Sequence, residues 1–165
     1  MLNLFKRKKN ENPGKTFTEI YSPADGKLIP IEEVQDEVFS KKMMGDGYAV
    51  VPDSGKIYSP VKGKIHNIFP TKHAFGIQTA NSDEIILHLG VDTVELNGEP
   101  FTIFVKENEE VTPDTLIAVM NFEKMQGKDP TVIVAFANQD AIEKIILEEK
   151  EKVTHSEKVG KAVHK

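Results

Sequence analysis

The segment YSPADGKLIPI, from Tyr21 to Ile31, returns 37 positions later as YSPVKGKIHNI, from Tyr58 to Ile68. Tyr-Ser-Pro, the Gly-Lys two residues further on and the closing isoleucine are kept. Each copy predicts a turn at its glycine, Gly26 or Gly63, and then a short alternating strand, so the sheets contain two related hairpin units. A looser third pattern, VKENEEVTPDTLIAVM, repeats the order strand, polar turn, strand. Phe101 to Phe104, Leu116 to Met120 and Val132 to Ala137 read as further strands, and VTHSEKVGKAVHK holds a last one. Many short strands with glycine turns predict an all-β, antiparallel β-sandwich or flattened barrel with one or two short helices. The longest helix is expected in ANQDAIEKIILEEKEK: Asp140 and Glu143 have capping-box spacing, and Ile142, Ile145 and Ile146 share a helical face.

At 165 residues the chain fits one sandwich domain over 18–165, preceded by a flexible basic tail over 1–17. A formal charge of −5, with no basic stripe beside an aromatic platform, argues against nucleic acid as a partner. The absence of cysteine excludes disulfides, thiolate catalysis and cysteine zinc sites. No apolar run is long enough to span a bilayer, and in MLNLFKRKKN the basic block follows the apolar residues, unlike a secretory signal; a cytoplasmic location is expected. The tail is read as a solubilising segment. Its Leu2, Leu4 and Phe5 beside Lys6, Arg7, Lys8 and Lys9 also suit a weak membrane-surface contact.

The chemistry concentrates in PTKHAFGIQTANSDEIILHLGVDTVELNG, where His73 and His88 stand fifteen positions apart on two consecutive strands. TANSD is a turn cluster between them. An even loop centred between Ala80 and Asn81 sets Ile77 opposite Glu84, Phe75 opposite Ile86 and His73 opposite His88, with facing Cβ atoms roughly 4.5–5.5 Å apart. Ile85, Leu87 and Leu89 form the core face, leaving His88 and Ile86 on the other. A histidine presented among apolar side chains is a reactive group in an apolar dish. Neutral imidazole, with an ordinary pKa of about 6.5, offers a nucleophilic nitrogen near neutral pH. Upstream, Val38, Phe39, Met43 and Met44 lie among charges, as core of an irregular loop or as an adaptable contact surface. His155 and His164 read as tail or surface residues.

VFSKKMMGDG (38–47), SPVKGKI (59–65), TKHAFGI (71–77) and HLGVDTVELNGE (88–99) together resemble the glucose-type enzyme IIA domain of the bacterial sugar phosphotransferase system. The likeness runs from about Tyr21 to Ile146. It implies a cytoplasmic β-sandwich in which His88 accepts a phosphoryl group from the histidine-containing phosphocarrier protein and passes it to a cysteine of an enzyme IIB domain. His73 would stabilise the phosphoryl group, and Thr71 would join its hydrogen-bond network. By position, Val38, Phe39, Met43, Met44, Phe69, Phe75, Ile86 and Val94 would form the partner-binding rim, with Asp36 and Asp92 facing the cationic edge of the phosphocarrier. No cofactor is required beyond the covalent phosphoryl group, although zinc can bind a histidine pair. The resemblance also implies control of other proteins, such as transporters or kinases, by phosphorylation state. Ile86 departs from the aromatic residue usual there, and the carboxy-terminal tail is more polar and lysine-rich than expected. Two other readings compete with this one. A zinc hydrolase would use His73, His88 and the HxxxD spacing to Asp92, but needs about three protein ligands. A biotinyl or lipoyl carrier would use Lys124 in Glu123-Lys124-Met125, and leaves the histidine pair unexplained.

Overall fold

The structure, a computed structural model, describes residues 16–165. Fourteen strands follow in order: β1 (Phe17–Tyr21), β2 (Gly26–Pro30), β3 (Gly47–Pro52), β4 (Lys56–Tyr58), β5 (Gly63–Ile68), β6 (Ala74–Gln78) and β7 (Glu84–Leu89). Then come β8 (Phe101–Ile103), β9 (Glu110–Val111), β10 (Leu116–Met120), β11 (Val132–Phe136), β12 (Ile142–Leu147), β13 (Lys152–Val153) and β14 (Lys158–His164). They pair antiparallel in three sheets, ordered β1-β14-β12, β4-β10-β8 and β13-β2-β3-β11-β7-β6-β5-β9. The result is a β-sandwich. Its one α-helical turn among the described residues is α1 (Glu37–Ser40).

The sequence repeat is also a repeat of structure. In each copy the serine hydroxyl closes the turn, Ser22 Oγ donating to the Ala24 carbonyl and Ser59 Oγ to the Val61 carbonyl, both at 2.6 Å. The copies grip one another reciprocally: Tyr21 N–H donates to the Pro60 carbonyl at 2.9 Å, and Tyr58 N–H to the Pro23 carbonyl at 2.7 Å. The strands that leave the turns, β2 and β5, take the short partners β13 and β9. Between the sheets lies one continuous core, including the fully buried Ile20, Tyr48, Ile57, Ile65, Phe75, Ile77, Leu87 and Leu89. Each such side chain contributes about 1.5–3 kcal/mol of burial.

Residues Ile142–Leu147 form strand β12, where a helix was expected. Ile142, Ile145 and Ile146 satisfy a helical period, but β-branched side chains favour a pleated surface, and β14 supplies the partner that decides: Ile145 pairs with Ala162 and Ile146 with Lys161. Gly160 permits the close approach, since a Cβ there would lie 1.9 Å from the Ile146 carbonyl oxygen. Asp140 falls in a 3-10 turn, Gln139–Ala141, instead of capping a helix.

His164 is buried and not a surface residue. Its Nε2 lies 2.8 Å from Asp83 Oδ1 and its Nδ1 2.6 Å from Thr16 Oγ1. Asp83, wholly buried in the β6–β7 turn, also accepts from the hydroxyls of Thr18 and Thr79 and from the Asn138 amide. This polar knot ties both ends of the domain to the histidine hairpin. His155 is part-exposed, stacked on Tyr58 with Nδ1 2.8 Å from Asp25 Oδ1. The tail expected over 1–17 lies, as far as Lys15, outside the described residues. No helix among the described residues is long and apolar enough to cross a membrane.

Candidate functional site

Strands β6 and β7 form the expected hairpin in a register one residue away from the expected one. Ala74 faces His88, Phe75 faces Leu87, Gly76 faces Ile86 and Ile77 faces Ile85. The loop is odd, Thr79 to Asp83, closed by Thr79 N–H donating to the Asp83 carbonyl at 3.1 Å, with Ser82 left-handed at φ 68°. Burial of Asp83 in its polar knot fixes this loop length, because moving it by one residue would leave several buried groups unsatisfied. One expected rim residue is thereby lost: Phe75 points into the main core with Leu87 and is 0% exposed. Gly76 stands opposite Ile86, which stays half-buried on the outer face.

His73 and His88 are not directly opposed, yet their rings meet, with centroids 4.9 Å apart and planes at 81°. His88 points outward from β7 by the alternation read from Ile85, Leu87 and Leu89, all buried. His73 precedes β6, so the pleat does not dictate its direction. The bend at Lys72, left-handed at φ 62° and closed by Lys72 N–H to the Phe69 carbonyl, brings its ring beside His88.

His88 Nδ1 lies 2.7 Å from the Gly90 carbonyl. A carbonyl only accepts, so Nδ1 carries the proton and Nε2 keeps a free lone pair. His73 Nδ1 lies 2.5 Å from Thr71 Oγ1. Above His88 sits Phe39, ring centroids 4.9 Å apart and tilted by 58°. Phe39 belongs to a second, smaller core with Ile29, Ile31, Val34, Ala49, Val91, Ile133 and Ala135, against which Met44 packs. Asp36 caps α1, its Oδ1 accepting from Val38 N–H at 2.8 Å. Desolvation, with help from His73, pushes the His88 pKa down to about 4, although the Gly90 carbonyl and Asp36 pull it up. Burial lowers that of His73 as well. Both rings are therefore neutral at pH 7.

Of the expected rim residues, Val38, Met43, Phe69 and Val94 are exposed, Met43 most of all at 63%. Phe69 also meets His73 edge-on, with centroids 5.6 Å apart. Phe39 is instead a 5%-exposed roof over His88. Asp36 is half-buried, whereas Asp92 is exposed and left-handed at φ 60°. The part of Gly90 went unread in the sequence, because a main-chain carbonyl carries no residue-type signal beyond the glycine in HLG. Among the described residues no third His, Cys, Asp or Glu joins the pair in a cluster able to hold a metal ion.

The model of the phosphoenolpyruvate-dependent sugar phosphotransferase system EIIA 1 family matches residues 18–142. The chain belongs to this EIIA family. Among EIIA relatives, it is 46% identical over 132 residues to the PTS system glucose-specific EIICBA component of Streptococcus pneumoniae, covering 79% of this chain but only 18% of that protein. It is 43% identical over 114 residues to the PTS system glucose-specific EIIA component of Mycoplasma capricolum, covering 69% of this chain and 74% of that one. The solved glucose permease IIA from Mycoplasma capricolum superposes with a TM-score of 0.77 at 35% identity, over 88% of this chain and 96% of the other. The chain is thus an EIIA family member with the sandwich fold of the solved glucose permease IIA.

Proposed function

We propose that this EIIA chain is a phosphoryl carrier with His88 as the acceptor. The reading rests on one observation above others: two neutral imidazoles meet at 4.9 Å, one of them with its Nε2 lone pair free. The His88 Nε2 lone pair attacks the phosphorus of the phosphocarrier's phosphohistidine. One N–P bond forms as the donor's N–P bond breaks, and the electron pair returns to the donor ring. His88 Nδ1–H keeps its proton throughout, on the Gly90 carbonyl. In the second step a cysteine thiolate of an enzyme IIB domain attacks the same phosphorus, forming S–P and releasing neutral His88.

Phosphoryl transfer needs positioning and charge stabilisation more than covalent help. Thr71 Oγ1 lies 2.5 Å from His73 Nδ1, and a hydroxyl proton given to that nitrogen would leave His73 Nε2–H as a donor to the phosphoryl oxygens. The exposed rim of Val38, Met43, Phe69 and Val94 gives both partners apolar surface to bury and keeps water from the N–P bond. Asp36 and Asp92 meet a cationic edge on the phosphocarrier, where an incoming arginine screens them from the phosphate. About two added negative charges in this dish repel other proteins that dock by burying it, which couples such partners to sugar flux. No metal is needed in these steps, and the protein works in the cytoplasm.

The relatives named as glucose-specific make a glucose permease the first acceptor to try. Membranes carrying an EIICB permease without its own A domain, supplied with phosphoenolpyruvate, enzyme I and the phosphocarrier, should phosphorylate sugar on addition of this chain. His88→Ala should restore nothing. Sugar phosphorylation that proceeds equally with His88→Ala would refute the assignment.

A further inference from the structure

The Gly90 carbonyl that fixes the His88 proton belongs to a planar peptide unit whose other end is the Val91 N–H. That N–H donates to the Asp129 carbonyl at 2.8 Å, so the position of Asp129 sets the plane in which the Gly90 oxygen points. On the other side of Gly90, its own N–H donates to the Thr131 carbonyl at 2.9 Å. The two carbonyls are held in turn by one carboxylate: Asp129 Oδ1 accepts from Thr131 N–H at 2.9 Å and from Thr131 Oγ1 at 2.6 Å, an Asx turn just before β11. Gly90 fits this clamp only as glycine, being left-handed at φ 84°, and a Cβ there would stand 2.9 Å from the Asp129 carbonyl oxygen. Lys128 Nζ, 2.8 Å from Glu95 Oε1, ties the clamp to the turn that follows His88.

We propose that Asp129 is a positioning residue: its carboxylate folds 129–131 into the clamp that orients the Gly90 carbonyl and so keeps His88 in the Nδ1–H tautomer. The consequence for transfer rests on the phosphoryl-carrier reading; the tautomer does not. Without the clamp the Gly90 oxygen loses its aim, the proton is shared with Nε2, and the nucleophilic lone pair is present for only part of the time.

The test uses the full chain, labelled with nitrogen-15, as wild type, Asp129→Ala, Asp129→Asn and Thr131→Val. Long-range proton–nitrogen spectra at pH 7 report which His88 nitrogen is protonated. Wild type should show a protonated Nδ1 alone, and Asp129→Ala a mixture. Its rate of phosphoryl acceptance should fall about tenfold, the low end for loss of an outer-shell orienting partner. Asp129→Asn keeps an oxygen in place for both Thr131 donors and should behave as wild type. Thr131→Val, nearly isosteric, should shift the tautomer part-way and covers the case in which Asp129→Ala does not fold. A wild-type nitrogen pattern in Asp129→Ala, or in Thr131→Val should the alanine variant not fold, would overturn the proposal. So would Asp129→Asn matching Asp129→Ala, since charge and not geometry would then be at work. A tautomer shift in a protein whose wild type never takes phosphate would sustain the clamp and remove the carrier reading.

Discussion

Replacing Phe39 by alanine should return much of the lost basicity to His88. The Phe39 ring lies 4.9 Å from the His88 ring, centroid to centroid, and is the roof that keeps water from it. In the wild type, burial and His73 bring the His88 pKa from 6.5 to about 4. The whole depression corresponds to roughly 3 kcal/mol, at about 1.4 kcal/mol for each pKa unit. Removing the roof leaves His73 in place, so the pKa should rise by about 1 to 1.5, not return fully. An imidazole with a depressed folded pKa leaves the protein at full stability above 6.5 and costs stability as pH falls from 6.5 through the folded pKa. Phe39→Ala should therefore be less stable at pH 7.5, by about 3–5 kcal/mol for an emptied aromatic site, yet lose less on acidification to pH 4.5. Proton NMR titration of the His88 Cε1–H between pH 3.5 and 8 reads the pKa directly, and urea melts at both pH values read the stability. Phe39→Leu, which refills part of the space, serves if the alanine variant does not fold. A wild-type His88 titrating near 6.5, or a variant still titrating at 4, would refute this account of the site's electrostatics.

Asp83→Asn should destabilise the domain by about 2–4 kcal/mol at pH 7 in urea melts, because the Asp83 carboxylate accepts from Thr18, Thr79, Asn138 and His164 in a wholly buried place. Burial raises the Asp83 pKa, but these hydrogen bonds outweigh it and lower the net value. The stability it confers is present above the ordinary carboxylate pKa of about 3.9 and is lost as pH falls through the lower folded one, so the variant should show a shallower acid limb. An unchanged acid limb would remove Asp83 from that role. Thr71→Val should slow transfer onward from His88 about tenfold, while Thr71→Ser keeps it, as measured by rapid-quench transfer to an enzyme IIB domain; equal rates would separate His73 from Thr71.

The parts of the fold that repeat locally were readable in the chain. Tyr-Ser-Pro and its following glycine predicted two turn-and-strand units, and both turns close through the same serine bond. Alternation in Ile85, Leu87 and Leu89 gave the right outward face for His88, because period two survives any register. The register itself was not readable. It depends on Asp83, whose partners Thr18, Asn138 and His164 are scattered from one end of the chain to the other. For that reason Phe75 faces the core instead of the rim, and His164 is buried instead of exposed. Ile142–Leu147 fitted two periods, and only the presence of β14 chose between them. The loop 38–44 held both of its open readings at once: Phe39 is core, while Val38 and Met43 are exposed.

Intact mass after incubation with phosphoenolpyruvate, enzyme I and the phosphocarrier tests whether His88 carries the phosphoryl group. The wild type should gain one acid-labile phosphoryl group, bonded to Nε2 by phosphorus and nitrogen NMR. His73→Ala should still gain it but fail to pass it on, and His88→Ala should gain none. A wild type that takes no phosphate from a competent donor, or a His88→Ala variant that takes it as readily, would contradict the account.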